Sequence, residues 1–160
     1  MKKWCILMLA LASASTFAQG QWISEMLAQR EQGQAKFAAI QAPERKISFF
    51  QNHALVLFYA STCPHCHRFA PVLKQWADAS GARVLPLSFD NQPMAQFPEF
   101  KPVTTEWVNV AFAGRPISYP ALFIANTQTH ELYAVSVGAM SEVELSNRMQ
   151  DFIPKIISHE

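Results

Sequence analysis

The 160-residue chain holds three cysteines, and two of them, Cys63 and Cys66, are separated only by Pro64 and His65. A thiol attacks as its thiolate, and a cysteine at its ordinary pKa of about 8.5 is mostly protonated at neutral pH. Two sulfurs this close can form a disulfide with each other and pass it to, or take it from, another molecule. Cys63 is the candidate nucleophile and Cys66 the resolving thiol. His65 lies between them and can stabilise the thiolate as donor or cation, which makes the pair easier to reduce and therefore more oxidising.

The residues around the pair predict how it is held. Ala54 to Ala60 is a continuous apolar run of the kind buried on both faces of a sheet. After Ser61 and Thr62, the residues Phe69, Val72, Leu73 and Trp76 recur at helical spacing until Gly81. Cys63 is thus expected at a helix N-terminus, where unpaired N–H groups and the positive end of the dipole favour an anion. Pro71 falls inside that helix and is expected to kink it.

Other uses of this motif predict other residues. A zinc site needs four ligands, but there is no second Cys-x-x-Cys, and His53, His130 and His159 show no ligand spacing. An inert disulfide across two residues is a further reading. Cys63-x-x-Cys66-His67 is also the attachment signature of a c-type haem, an electron carrier. A motif directly after a buried strand in a β-rich chain argues against that reading, since small c-type cytochromes are mostly helical. No cofactor and no metal are expected.

The chain begins Met1-Lys2-Lys3, continues through the apolar run Trp4 to Ala12, and reaches Thr16-Phe17-Ala18. Residues 1–18 read as a cleaved secretory signal peptide, because the apolar run is well short of the roughly 20 residues a spanning helix needs. Cys5 leaves with it. Loss of Lys2 and Lys3 takes the basic count from 13 to 11 against 12 acids, so nothing points to a nucleic acid partner. The expected location is outside the cytosol.

Residues 19–45 read as a short helical extension, with Trp22, Ile23, Met26, Leu27 and Phe37 roughly on one face, and residues 46–160 as the main domain. Ile47 to Phe50 reads as a short strand and Arg83 to Phe89 as another. Pro93, Pro98 and Pro102 predict an irregular segment leading to a short helix near Val103 to Phe112. Ala121 to Ala125 and Leu132 to Val137 predict an antiparallel hairpin that Gly138 ends. Ser141 and Glu144 form a capping box for a last helix, which Pro154 is expected to end or bend. The order predicts an α/β fold, a mixed sheet with helices on both faces.

Phe58-Tyr59-Ala60-Ser61-Thr62-Cys63-Pro64-His65-Cys66 resembles the active-site strand and turn of thioredoxin-fold oxidoreductases, with the Pro-His pair of the DsbA type. Pro71 stands where the helix of that family is kinked, and Tyr119-Pro120 resembles its cis-proline loop. The resemblance implies that Pro64, Tyr119 and Pro120 receive substrate, with the Tyr119 backbone pairing to an extended segment. A buried acid of thioredoxin and DsbA is replaced by Leu57, more like the DsbC isomerases, as is Cys66-His67-Arg68. From Ala54 to Ile156, with Phe97-Pro98-Glu99 as a specific marker, the chain is similar to the disulfide isomerases of F-type conjugative transfer systems. That resemblance implies a periplasmic thiol-disulfide oxidoreductase or isomerase acting on cysteine-containing proteins of the conjugative pilus and mating apparatus. It also implies an upstream redox partner that recharges the pair. The alternatives are a thiol reductase, as in apocytochrome maturation, a haem carrier, or a redox-inert scaffold.

Overall fold

A computed structural model describes residues 48–160, together with Ala28 and Glu31, which are helical and exposed. The expected signal peptide and nearly all of the expected extension lie outside the described residues. The chain divides into two units, Met1–Ala42 and Pro43–Glu160, and the second carries the fold below.

Eight elements follow a helical turn at residues 48–52: β1 (His53–Tyr59), α1 (Pro64–Ser80), β2 (Val84–Ser88), β3 (Lys101–Pro102), α2 (Thr105–Phe112), β4 (Ala121–Asn126), β5 (Leu132–Val137) and α3 (Glu142–His159). The five strands form one sheet in the order β3-β2-β1-β4-β5. β1, β2 and β3 run parallel, whereas β4 is antiparallel to both β1 and β5. A central strand with a parallel neighbour reached through a crossover helix on one side and the antiparallel β4–β5 hairpin on the other is the thioredoxin-like α/β arrangement.

Strand alternation divides the core into two layers. Leu55, Leu57 and Tyr59 of β1 pack with Phe69, Leu73 and Trp76 of α1 and Leu145 and Met149 of α3. Val56 and Phe58 point the other way, toward Ala111 and Phe112 of α2 and Phe123 of β4. Burying each of these large side chains contributes roughly 1.5–3 kcal/mol, so β1 is held from both faces.

Two expectations are corrected, and a third, that Pro154 ends or bends the last helix, is narrowed. Residues 48–50 are helical, not a strand. The turn lets Phe49 stack on His53 at 3.8 Å and Phe50 meet Trp76 edge-on at 5.9 Å. The proline-rich segment is not wholly irregular, since Lys101 and Pro102 add a strand beside Leu87 and Ser88. Pro154 does not end α3: the proline is exposed, and Ile153 and Ile156 on either side of it are buried against the sheet. Burial of that apolar stripe outweighs one lost backbone bond. The helix α1 likewise runs through exposed Pro71 without a break.

The capping box at Ser141 and Glu144 is present in both directions. At the opposite end of β1 from the cysteines, Glu160 accepts from His53 Nε2 at 3.0 Å and from Asn126 Nδ2 at 2.8 Å, fastening the end of α3 to β1 and β4. Among the described residues no helix is long and apolar enough to cross a membrane.

Candidate active site

The chain leaves the buried end of β1 and turns sharply, with Cys63 N–H donating to Ala60 O at 3.1 Å. Cys63 takes extended backbone angles, φ −84° and ψ 115°, and is the N-cap of α1, with Pro64 in the first turn, where its missing donor costs nothing. The Cys66 N–H donates to Cys63 Sγ at 3.3 Å. A sulfur therefore sits where an oxygen normally caps a helix, and negative charge on it meets a donor and the helix dipole. At the far end, Gly81 at φ +66° returns its N–H to Ala77 O and Asp78 O. That left-handed angle suits glycine.

The two thiols are free and differ in environment. Cys63 keeps 9% of its surface, and Cys66, one turn inside among core residues, keeps 1%. Burial pushes the Cys66 thiol up to about 12, and its hydrogen-bonding with Cys63 adds to the rise. Both are buried, but Cys66 is the deeper of the two and is held protonated, so Cys63 is the one expected to react first. Reduced folded protein from residue 19 onward, which lacks Cys5, is expected at pH 8 to take one equivalent of iodoacetamide, at Cys63, and a second only on unfolding. Peptide mass mapping checks this, and rapid double labelling of the folded protein would contradict the buried Cys66.

Facing Cys63 across a gap is the Tyr119-Pro120 loop, whose peptide bond is cis. Cys63 Sγ lies 3.8 Å from Tyr119 O, joining segments 56 residues apart. Pro120 is buried and its carbonyl accepts from Gly138 N–H at 2.7 Å, so the end of β5 backs the loop. Tyr119 is 42% exposed and its ring lies 5.5 Å from that of Phe89. Ile117, 46% exposed, extends this apolar rim.

The structure thus brings Cys63, Pro64, Cys66, Tyr119 and Pro120 together. His65 stands apart: its exposed ring accepts at Nδ1 from Arg68 Nη2 at 2.7 Å, and among the described residues it makes no hydrogen bond to either sulfur. Arg68 was not singled out as a partner of His65, although a spacing of three residues on a helix would have suggested it. His67 Nε2 donates to Ser61 O. With its ring held there and Cys66 buried, holding a haem through both sulfurs would require the core to open.

A second group missed in the sequence is Asp90. Its Oδ2 accepts from both the N–H and the hydroxyl of Ser61, each at 2.7 Å, and its Oδ1 accepts from Ser88 Oγ at 2.8 Å. Burial raises this carboxyl, but the hydrogen bonds from Ser61 and Ser88 outweigh that and hold it below the usual carboxylate range. No spacing rule links it to Ser61, 29 residues away.

Among known proteins, the family model described as TraF, F plasmid transfer operon protein, matches residues 24–150. Protein TrbB of Escherichia coli K12 is 38% identical over 85 residues, which is 53% of this chain and 47% of that protein. The match thus spans about half the length of this curated relative. StoA from Bacillus subtilis shares 18% identity at a TM-score of 0.44, covering 61% of this chain and 82% of that one. A thiol:disulfide interchange protein from Chlorobium tepidum shares 20% at 0.46, covering 66% and 83%. Likenesses that loose carry no argument about chemistry.

Proposed function

From the premise that this chain belongs to the TraF family of F plasmid transfer operon proteins, we propose that it is a thiol-disulfide oxidoreductase that forms or corrects disulfides in secreted proteins of a conjugative transfer apparatus. The observation that carries this is the unequal pair: a sulfur capping α1 on a residue that keeps 9% of its surface, a more deeply buried one a turn behind, and the Tyr119 carbonyl 3.8 Å from the first.

In this mechanism the Cys63 thiolate attacks one sulfur of a substrate disulfide, a bond forms to Cys63 Sγ, and the other substrate sulfur leaves as a thiolate. An extended substrate strand is received along the Tyr119 backbone, with Pro64 and Pro120 on either side of the sulfur. Release follows one of two routes. A second substrate thiolate displaces Cys63, which regenerates the reduced enzyme and isomerises the substrate. Otherwise Cys66 loses its proton and attacks Cys63 Sγ, which leaves the substrate reduced and the enzyme oxidised. Run backwards, that second route oxidises a substrate dithiol and needs an upstream redox partner to restore the disulfide. His65, held by Arg68, tunes the site from the rim. The reaction needs no metal or cofactor, and the proposed compartment is the periplasm, where such bridges persist.

Refolding of scrambled ribonuclease tests the reading. The protein from residue 19 onward is expected to restore ribonuclease activity in a glutathione buffer well above the uncatalysed rate. Reduction of insulin with no gain in scrambled ribonuclease would instead establish a reductase, and inertness in both assays would sink the proposal.

A further inference from the structure

The turn that presents Cys63 has a dedicated anchor. Residues 60–63 carry the nucleophile from β1 to α1, and the middle of the turn is gripped twice by one carboxylate, through Ser61 N–H and Ser61 Oγ. The same carboxylate is steadied from β2 by Ser88 Oγ. Ser88 Oγ also accepts from Gln92 N–H at 3.1 Å, and Tyr59 OH donates to Gln92 O at 2.9 Å. The ends of β1 and β2 are therefore laced together directly beneath the turn. Among the described residues no lysine, arginine or histidine pairs with Asp90, so its ligands are neutral donors and its geometry is fixed by them. The titratable groups around the turn are Cys63, Cys66 and His67 from its α1 side, the last donating from Nε2 to Ser61 O, and Tyr59 from β1.

We propose that Asp90 is the positioning residue of the nucleophile turn, holding Ser61 by main chain and side chain so that Cys63 Sγ stays aimed at the first N–H groups of α1. It touches neither substrate nor sulfur. Its effect passes through the turn, because a hydrogen bond from Cys66 N–H to Cys63 Sγ survives only while the turn keeps its shape. The inference deepens the exchange reading above and rests on it for its role in catalysis.

Charge and position act in opposite directions here, which makes the role measurable. Removing a nearby negative charge by itself lowers the pKa of a thiol, whereas loosening the cap raises it by withdrawing donors from the thiolate. The experiment is the pH dependence of Cys63 alkylation by iodoacetamide in the reduced protein from residue 19 onward, for wild type, Asp90→Asn and Ser61→Ala. In Asp90→Asn the midpoint is expected to rise by about half to one pH unit, which slows alkylation roughly 3- to 10-fold at pH values below the midpoint. A midpoint that falls or stays put, in protein whose circular dichroism shows it folded, overturns the proposal. Should Asp90→Asn fail to fold, Ser61→Ala decides by the same criterion, since it removes one grip and leaves the charge unchanged. Wild-type ribonuclease refolding is measured alongside: its absence removes the exchange reading, while the alkylation comparison still judges the role of Asp90.

Discussion

Cys63→Ser is expected to reduce thiol-disulfide exchange to the uncatalysed background, a loss on the order of a thousandfold or more, with no loss of fold. The hydroxyl still accepts from Cys66 N–H as an N-cap, so α1 keeps its start while the nucleophile is gone. Cys66→Ser should behave differently. Attack by Cys63 survives but resolution does not, so mixed disulfides with substrate accumulate and are seen as adducts on non-reducing gels. Full ribonuclease refolding by Cys63→Ser would show that the capping sulfur is not the attacking one.

The second large effect is on stability. Phe58 is fully buried at the centre of an aromatic cluster, with ring centroids 5.3 Å from Phe112, 5.5 Å from Phe123, 6.1 Å from Phe89 and 6.3 Å from Trp107. Phe58→Ala removes the hub of all four contacts, and a cavity among rings on α2, β4 and the loop after β2 collapses poorly. The expected cost is about 3–5 kcal/mol, which lowers the melting temperature by roughly 10–25 °C. Thermal unfolding followed by circular dichroism measures it, with Val110→Ala, at a site 60% exposed on α2, as the control expected to change little. A drop of less than about 5 °C would mean the cluster relaxes around the gap. Because Phe89 also contacts Tyr119, the same variant should lose some ordering of the Tyr119-Pro120 loop.

What was legible in the sequence followed from local rules. The apolar run ending at Ala60 and the helical spacing after Cys63 placed the nucleophile at a strand-to-helix turn, because periodicity and capping act over a few residues. Ser141 and Glu144 were legible for the same reason. Ile47 to Phe50 was not, since four apolar residues satisfy a strand and a helical turn equally, and the stacking of Phe49 on His53 decided between them. That α3 continues past Pro154 could not be decided locally, because a backbone penalty is local while the burial of Ile153 and Ile156 is tertiary. The meeting of Cys63 with Tyr119 came through family resemblance, and Asp90 was invisible, because each contact depends on strand order rather than on neighbours in the chain.

The register of β1 against β4 sets which parts of the molecule are free to change in length. Phe58 is opposite Ala121, so the turn leaving β1 and the loop entering β4 meet at one edge of the sheet because these strands run in opposite directions. Sliding β4 by one residue would carry the Tyr119 carbonyl about 3.4 Å along the strand and turn its neighbours to the other face. The long stretch between β2 and β4 lies outside that constraint. Residues could be inserted near Pro93 or Pro98 without disturbing the alignment of the two strands, whereas one residue added between Phe58 and Cys63, or between Tyr119 and Leu122, would separate the sulfur from the loop it faces. The molecule therefore has a length-tolerant flank for acquiring new recognition surface and a length-intolerant seam for chemistry.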